Sequence, residues 1–168
     1  MSYTDTDSFI LEIETEDVYE DFRKPELNKY MDFSDYDKKH KSFNDVNKKV
    51  LGKFKDEENG KIIKEFIGLK PKMYAIRLEN DDLHKKAKGI PKMKVKKELS
   101  FNDYKSVLDN ANRGKIKFTS IRSEKHVIHT INQEKTGLSN YDDKRFFFNN
   151  VESLPFGHYK IAKCVNNV

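Results

Sequence analysis

The chain has 168 residues, 36% of them apolar and 36% charged, with a mean hydropathy of -0.89; no window approaches the roughly 18 uninterrupted apolar residues of a membrane span. The opening MSYTDTDSF is polar and acidic rather than basic then apolar, and the single cysteine, Cys164, offers no disulfide framework, so a secreted protein is not expected and an intracellular, reducing compartment is. Net charge is +5 but polarised: residues 1–37 carry twelve acids and three bases, and the remainder sixteen acids and thirty bases, a distribution that suits divalent cations at one end and a polyanion along the rest, hence nucleic acid together with metal.

In chain order, Ser8 to Glu14 alternates Phe9, Leu11 and Ile13 with Ser8, Ile10, Glu12 and Glu14, the period of a strand. Thr15 then stands as an N-cap before acids, with Val18 and Phe22 four apart, which predicts a short helix over residues 15–22. Residues 23–49 show no sustained period and read as a long connection or a helix without a definite place. Between 50 and 78, two strand-like runs flank Glu58-Asn59-Gly60, and Asn-Gly predicts a hairpin there, followed by a third strand from Lys72 to Leu78. Residues 84–97 hold seven lysines and no acid, punctuated by Gly89 and Pro91, and read as a basic loop. Ser100 as cap, Asp103 three positions on, and Phe101, Tyr104, Val107 and Leu108 at helical spacing predict a helix over 100–109. After Gly114 the alternation predicts two strands, and DDKRFFF then FGHYKI suggest a last short strand and tail.

The chemistry-bearing candidate is Tyr3-Thr4-Asp5-Thr6-Asp7-Ser8, just ahead of the first strand. Asp5 and Asp7 are expected at or beside a turn, two residues apart on one side of the extended chain, with Cα atoms about 6–7 Å apart. Paired carboxylates on a stiff edge suit hard cations such as Mg²⁺, and two such ions serve phosphoryl and nucleotidyl transfer. Asp-x-Asp is also ordinary turn chemistry. A calcium loop, suggested by Glu16 at the twelfth position from Asp5, fails because Phe9 and Ile10 occupy its fifth and sixth positions, where an oxygen ligand and Gly are needed.

YTDTDS resembles motif C (Tyr-x-Asp-Thr-Asp-Ser) of family B DNA polymerases. Downstream, GLKPKMY (68–74) is similar to the Lys-x-Tyr element by which these enzymes hold the primer end. NKKVLGKFKDE (47–57), KKAKGI (85–90), LSNYDDKRFFF (138–148) and FGHYKI (156–161) resemble the protein-primed branch found in Polinton/Maverick elements and related DNA viruses. The resemblance implies a nucleotidyltransferase acting in DNA replication at a nuclear or viral site, with Asp7 as direct metal ligand, Asp5 as its partner, and Tyr3 and Thr6 shaping the turn. It further implies that Lys72 and Tyr74 contact the primer terminus, with primer–template DNA, dNTP and a terminal protein as partners and a two-metal Mg²⁺ site as cofactor. Motif A (Asp-x-x-Ser-Leu-Tyr-Pro) and the nucleotide-binding fingers helix have no counterpart in the sequence. The expectation is therefore a carboxy-terminal fragment that starts at motif C and does not polymerise alone. The alternative is a non-catalytic DNA-binding relic of a mobile element.

Of the basic run, Lys85, Lys86 and Lys88 are expected to touch the duplex. Only five of the thirty-three bases are Arg, which favours sequence-tolerant phosphate contact over bidentate base reading. His126 and His129 would face opposite sides of a strand and have no second ligand pair, so a structural role is expected. The predicted fold class is α+β: a partial antiparallel palm sheet with covering helices over residues 1–98, and a small β-rich thumb over 99–168.

Overall fold

The computed structural model describes residues 1–110, 114–149 and 152–161; Cys164 lies outside them. It is a mixed α+β fold of short, mostly antiparallel sheets. The elements are β1 (Tyr3–Asp5), β2 (Ser8–Ile10), α1 (Val18–Arg23), α2 (Pro25–Asn28), β3 (Met31–Asp32), β4 (Phe54–Lys55), β5 (Ile63–Lys70), β6 (Met73–Leu78), β7 (Leu83–Ala87), α3 (Lys92–Glu98), α4 (Phe101–Asn110), β8 (Lys115–Glu124), β9 (Val127–Thr136), β10 (Arg145–Phe147) and β11 (Ser153–Pro155). Two compact units emerge, Met1–Phe66 with Ile76–His84, and Ile67–Ala75 with the chain from Lys85 onward. Among the described residues no helix is long and apolar enough to cross a membrane.

In the first unit, β1 and β2 form a hairpin with Tyr3 opposite Ile10 and Asp5 opposite Ser8. The strand expected to run to Glu14 stops at Ile10, because among the described residues no neighbouring strand continues the ladder. The helix begins later than Thr15 suggests: Asp17 is the cap, its carboxylate accepting from Tyr19 N–H (2.9 Å) and Glu20 N–H (3.1 Å), while Thr15 Oγ1 donates to Asp21. Pro25 ends α1 by holding Lys24 in the extended region (φ -61, ψ 140) and then opens α2.

The stretch read as a long connection or an unplaced helix contains the short helix α2 and the strand β3. Its core is aromatic: Phe33 and Tyr36 are buried with Met31, and Tyr19, Phe22 and Phe43 pack around them. The Tyr36 ring lies 5.3 Å from Phe33 and 4.7 Å from His40.

Asn59 and Gly60 do take positive φ (54 and 89), yet the hairpin expected there does not form. The run before them pairs elsewhere, β4 lying parallel to β3 with Met31 opposite Phe54. The loop is closed instead by Asp56, whose carboxylate accepts from Glu58 N–H (2.9 Å), Gly60 N–H (2.7 Å) and Tyr36 Oη (2.6 Å).

Asp32 is buried at 6% exposure. Burial pushes its carboxyl up, but hydrogen bonds from Ser34 and from Lys49 N–H, with the charge of Lys55, outweigh this and hold it below the usual carboxylate range. A depressed folded-state pKa contributes stability that is present above the unfolded value, near 4, and lost as pH falls through the folded value. Urea unfolding should therefore show Asp32→Asn destabilised by about 1–3 kcal/mol at pH 7, with the gap to wild type closing below about pH 3. A gap unchanged by acid would refute this account.

The true reversal after β5 is Pro71-Lys72, between Lys70 and Met73. Proline supplies the first central position and Lys72 the second at φ 61, the pattern of a type II turn. Lys72 is thus off the strand that the sequence placed it on. Strands β5, β6 and β7 hydrogen-bond in that order.

Residues 84–97 are not a loop: Leu83–Ala87 is a strand, and Pro91 caps α3, with Val95 buried and Lys94 paired to Glu98 one turn on. Lysine charge describes the solvent face and leaves the backbone free to be regular. The capping box on α4 forms as expected, Ser100 N–H donating to Asp103 Oδ2 (2.6 Å) and Asp103 N–H to Ser100 Oγ (3.3 Å). Phe101, Tyr104 and Val107 are buried, but Leu108 is exposed. They join Ile67, Leu69, Met73, Ala75, Ala87, Val95 and Leu138 in one core.

β8 and β9 make the expected hairpin across ten register pairs, Lys115 opposite Thr136 to Glu124 opposite Val127. Lys125 and His126 turn it at φ 48 and 66, so His126 sits in the turn and only His129 is on a strand, opposite Arg122. At the hairpin base, Gly137 N–H donates to Gly114 O at 2.7 Å, and a Cβ on Gly137 would stand 2.8 Å from Ile116. β10 pairs with β11, Phe146 opposite Leu154; in FGHYKI, Phe156 and Gly157 form a turn and Tyr159, Lys160 and Ile161 are helical, with Ile161 N–H donating to His158 O.

Candidate functional site

The acidic site is built by the shortness of its hairpin. Pairing of Asp5 with Ser8 leaves only Thr6 and Asp7 to reverse the chain, and Thr6 takes φ 63 to do so. For a β-branched residue this conformation costs on the order of 1–3 kcal/mol, a strain held by the flanking ladder. Asp7 N–H donates to Asp5 O at 2.9 Å and Ser8 Oγ to the same carbonyl at 3.2 Å. Thr6 Oγ1 lies 3.4 Å from Asp5 Oδ1. Asp5 is half-buried and Asp7 exposed, so the two carboxylates stand at the tip with different access to water. Tyr3 anchors the hairpin from below, its ring 6.0 Å from Phe66 on β5.

Tyr3, Asp5, Thr6 and Asp7 are therefore gathered in one reversal of the first unit. The two carboxylates are hard, anionic oxygen donors of the kind Mg²⁺ takes, and they fit as two of its roughly six ligands. Among the described residues no group of three or more His, Cys, Asp or Glu forms a metal cluster.

The second unit brings together Lys72, Tyr74, Lys86 and Lys88. Lys88 N–H donates to Lys72 O at 3.0 Å, closing the segment after β7 onto the β5–β6 turn. The Lys86 Nζ stands 5.5 Å from the Tyr74 ring centroid, a cation over an aromatic face. Lys72, Lys86 and Lys88 are exposed and Tyr74 half-buried.

Lys85 is placed differently. Its ammonium donates to Leu99 O and to Lys96 O (3.4 Å) at the end of α3, which commits its charge to orphan helix carbonyls. Beneath the group, Tyr104 Oη donates to Lys86 O at 3.1 Å. Sequence reasoning missed Phe66 and Tyr104 as supports; each carried only a core signal, and the contact that gives it a role joins distant segments.

Lys70 Nζ donates to Tyr141 O at 3.2 Å, and Ser139 N–H points to Met73 Sδ at 3.4 Å. These tie the β5–β6 turn to the segment after β9. No family model, curated protein or solved structure matches this chain.

Proposed function

We propose that this chain is part of a protein-primed family B DNA polymerase, supplying the motif C aspartates of the palm and, from palm and thumb, a lysine surface for the primer–template duplex. The reading rests on the resemblance of YTDTDS and GLKPKMY to that family. The observation that carries it is the placement of Asp5 and Asp7 at the tip of a strained two-residue reversal, anchored by Tyr3 on Phe66.

Asp5 and Asp7 would hold Mg²⁺, which when bound neutralises phosphate charge and favours the ionised primer hydroxyl. The strained turn fixes the spacing of the two carboxylates before any ion arrives, so less ordering is left to be done on binding. Lys72, Lys86 and Lys88 neutralise phosphates, while Tyr74, with Lys86 over its ring, packs against the primer end. In the whole enzyme dNTP and a terminal protein complete the assembly.

The purified chain alone is expected to bind a fluorescent primer–template with salt-sensitive, sequence-tolerant affinity and to incorporate no nucleotide. Mn²⁺, standing in for Mg²⁺, should broaden the amide resonances of Asp5–Ser8 in wild type and not in the Asp5→Asn/Asp7→Asn variant. Template-dependent incorporation by this chain would overturn the fragment reading. Absence of any salt-sensitive DNA affinity would remove the polymerase reading itself.

A further inference from the structure

The segment from Ser8 to Glu14 carries a strand pattern that its own fold uses only in part. Ser8, Phe9 and Ile10 pair with β1, and the ladder ends there. Leu11, Glu12, Ile13 and Glu14 run on outside any sheet, all exposed. Their apolar row is open to water, with Phe9 47%, Leu11 55% and Ile13 46% exposed, and the neighbouring Phe54 57%. The Phe9 and Phe54 rings are 6.5 Å apart, so the row continues onto β4. The other row is acidic, Glu12 and Glu14 followed by Glu16, and none of the three forms a hydrogen bond or ion pair among the described residues. Within the described residues β2 has β1 as its sole sheet neighbour. Open backbone groups, an apolar row and an acidic row on one extended segment are what strand addition uses: the ladder gives affinity and alternate side chains give selectivity.

We infer that Ser8–Glu14 is a docking edge for an extended strand of another polypeptide, one in which basic residues alternate with branched or aromatic apolar residues. Lys or Arg would stand against Glu12 and Glu14, and apolar side chains against Leu11 and Ile13. The chain holds such segments itself: Lys92-Met93-Lys94-Val95-Lys96, which is helical in α3 with Val95 buried, and Lys115-Ile116-Lys117-Phe118 in β8. There, however, Lys115 and Lys117 already face Glu134 at 2.9 and 3.5 Å, and Ile116 and Phe118 are half-buried. A second copy is thus a poor occupant, and a separate basic–apolar strand a good one. The inference stands independently of the polymerase reading.

The test is titration of the full chain with a synthetic peptide of alternating Lys and Val, beside a control of alternating Glu and Val, followed by amide shifts and hydrogen exchange. The basic peptide is expected to perturb and protect residues 9–14. Glu12→Lys/Glu14→Lys should weaken it at least tenfold, and Ile13→Pro should also block it by removing a ladder donor. Both changes lie at exposed positions, and an unchanged circular dichroism spectrum checks the fold. Equal affinity for the acidic peptide, no binding at millimolar peptide, or perturbation confined to other residues would overturn the inference. So would concentration-dependent dimerisation that protects residues 9–14 without peptide, since the occupant would then be a second copy.

Discussion

Tyr104→Ala is expected to lower the unfolding free energy by about 3–5 kcal/mol, the cost of deleting a fully buried aromatic side chain. Tyr104 is 0% exposed and sits in the core formed by β5, β6, α3 and α4 side chains. It belongs to one buried cluster with Phe101, Val107, Ile67, Leu69, Met73 and Ala75, so its deletion leaves a cavity among them. The phenol also works for the candidate surface, since Tyr104 Oη donates to Lys86 O at 3.1 Å. Burial pushes this phenol up, and the charge of Asp103 adds to that, so the hydroxyl stays protonated and donating through the working pH range. Tyr104→Phe removes only the donor and should cost about 1 kcal/mol. Urea unfolding followed by tyrosine fluorescence and circular dichroism separates the two effects. If the alanine variant lost less than about 1 kcal/mol, the packing described for the second unit would be wrong.

What the sequence made legible was local. The Ser100–Asp103 box and the stripe of Phe101, Tyr104 and Val107 need only four-residue spacing, and α4 forms where they predict. The β8–β9 hairpin is likewise specified by alternation on both sides of one reversal. Non-local pairing was not legible. Nothing in Met31 or Phe54 announces that a two-residue parallel ladder joins them, and that pairing takes away the strand which Asn59-Gly60 needed as its partner. Asn-Gly permits a reversal, but the carboxylate of Asp56 decides how the chain leaves it.

The same contrast holds at the site. The order Asp5, Thr6, Asp7 is plain in the sequence, while the positive φ of Thr6 follows only from the register that pairs Asp5 with Ser8. The lysines of 84–97 were visible as charge. That Lys85 turns inward to helix carbonyls, while Lys86 and Lys88 stay exposed, depends on strand alternation that a run of identical side chains conceals.

This division of the lysines leads to the second large effect. Lys72→Ala/Lys86→Ala/Lys88→Ala is expected to reduce the slope of log affinity against log salt by about 2.7, because each phosphate contact contributes about 0.9. At about 0.1 M salt that corresponds to a loss of several hundredfold in affinity for a primer–template duplex. Lys85→Ala should leave the slope nearly unchanged and instead lower stability, since its ammonium satisfies Lys96 O and Leu99 O. The contrast separates specific placement from bulk charge: each substitution removes one positive charge, with Lys85 only one and three positions from Lys86 and Lys88, yet only the exposed lysines grouped with Tyr74 should change the count of released ions. Anisotropy titrations at four salt concentrations on the two variants and wild type give the slopes. Equal slope losses per lysine, Lys85 included, would mean that the duplex responds to net charge alone. An unchanged slope in the triple variant would move the DNA surface away from the β5–β6 turn altogether.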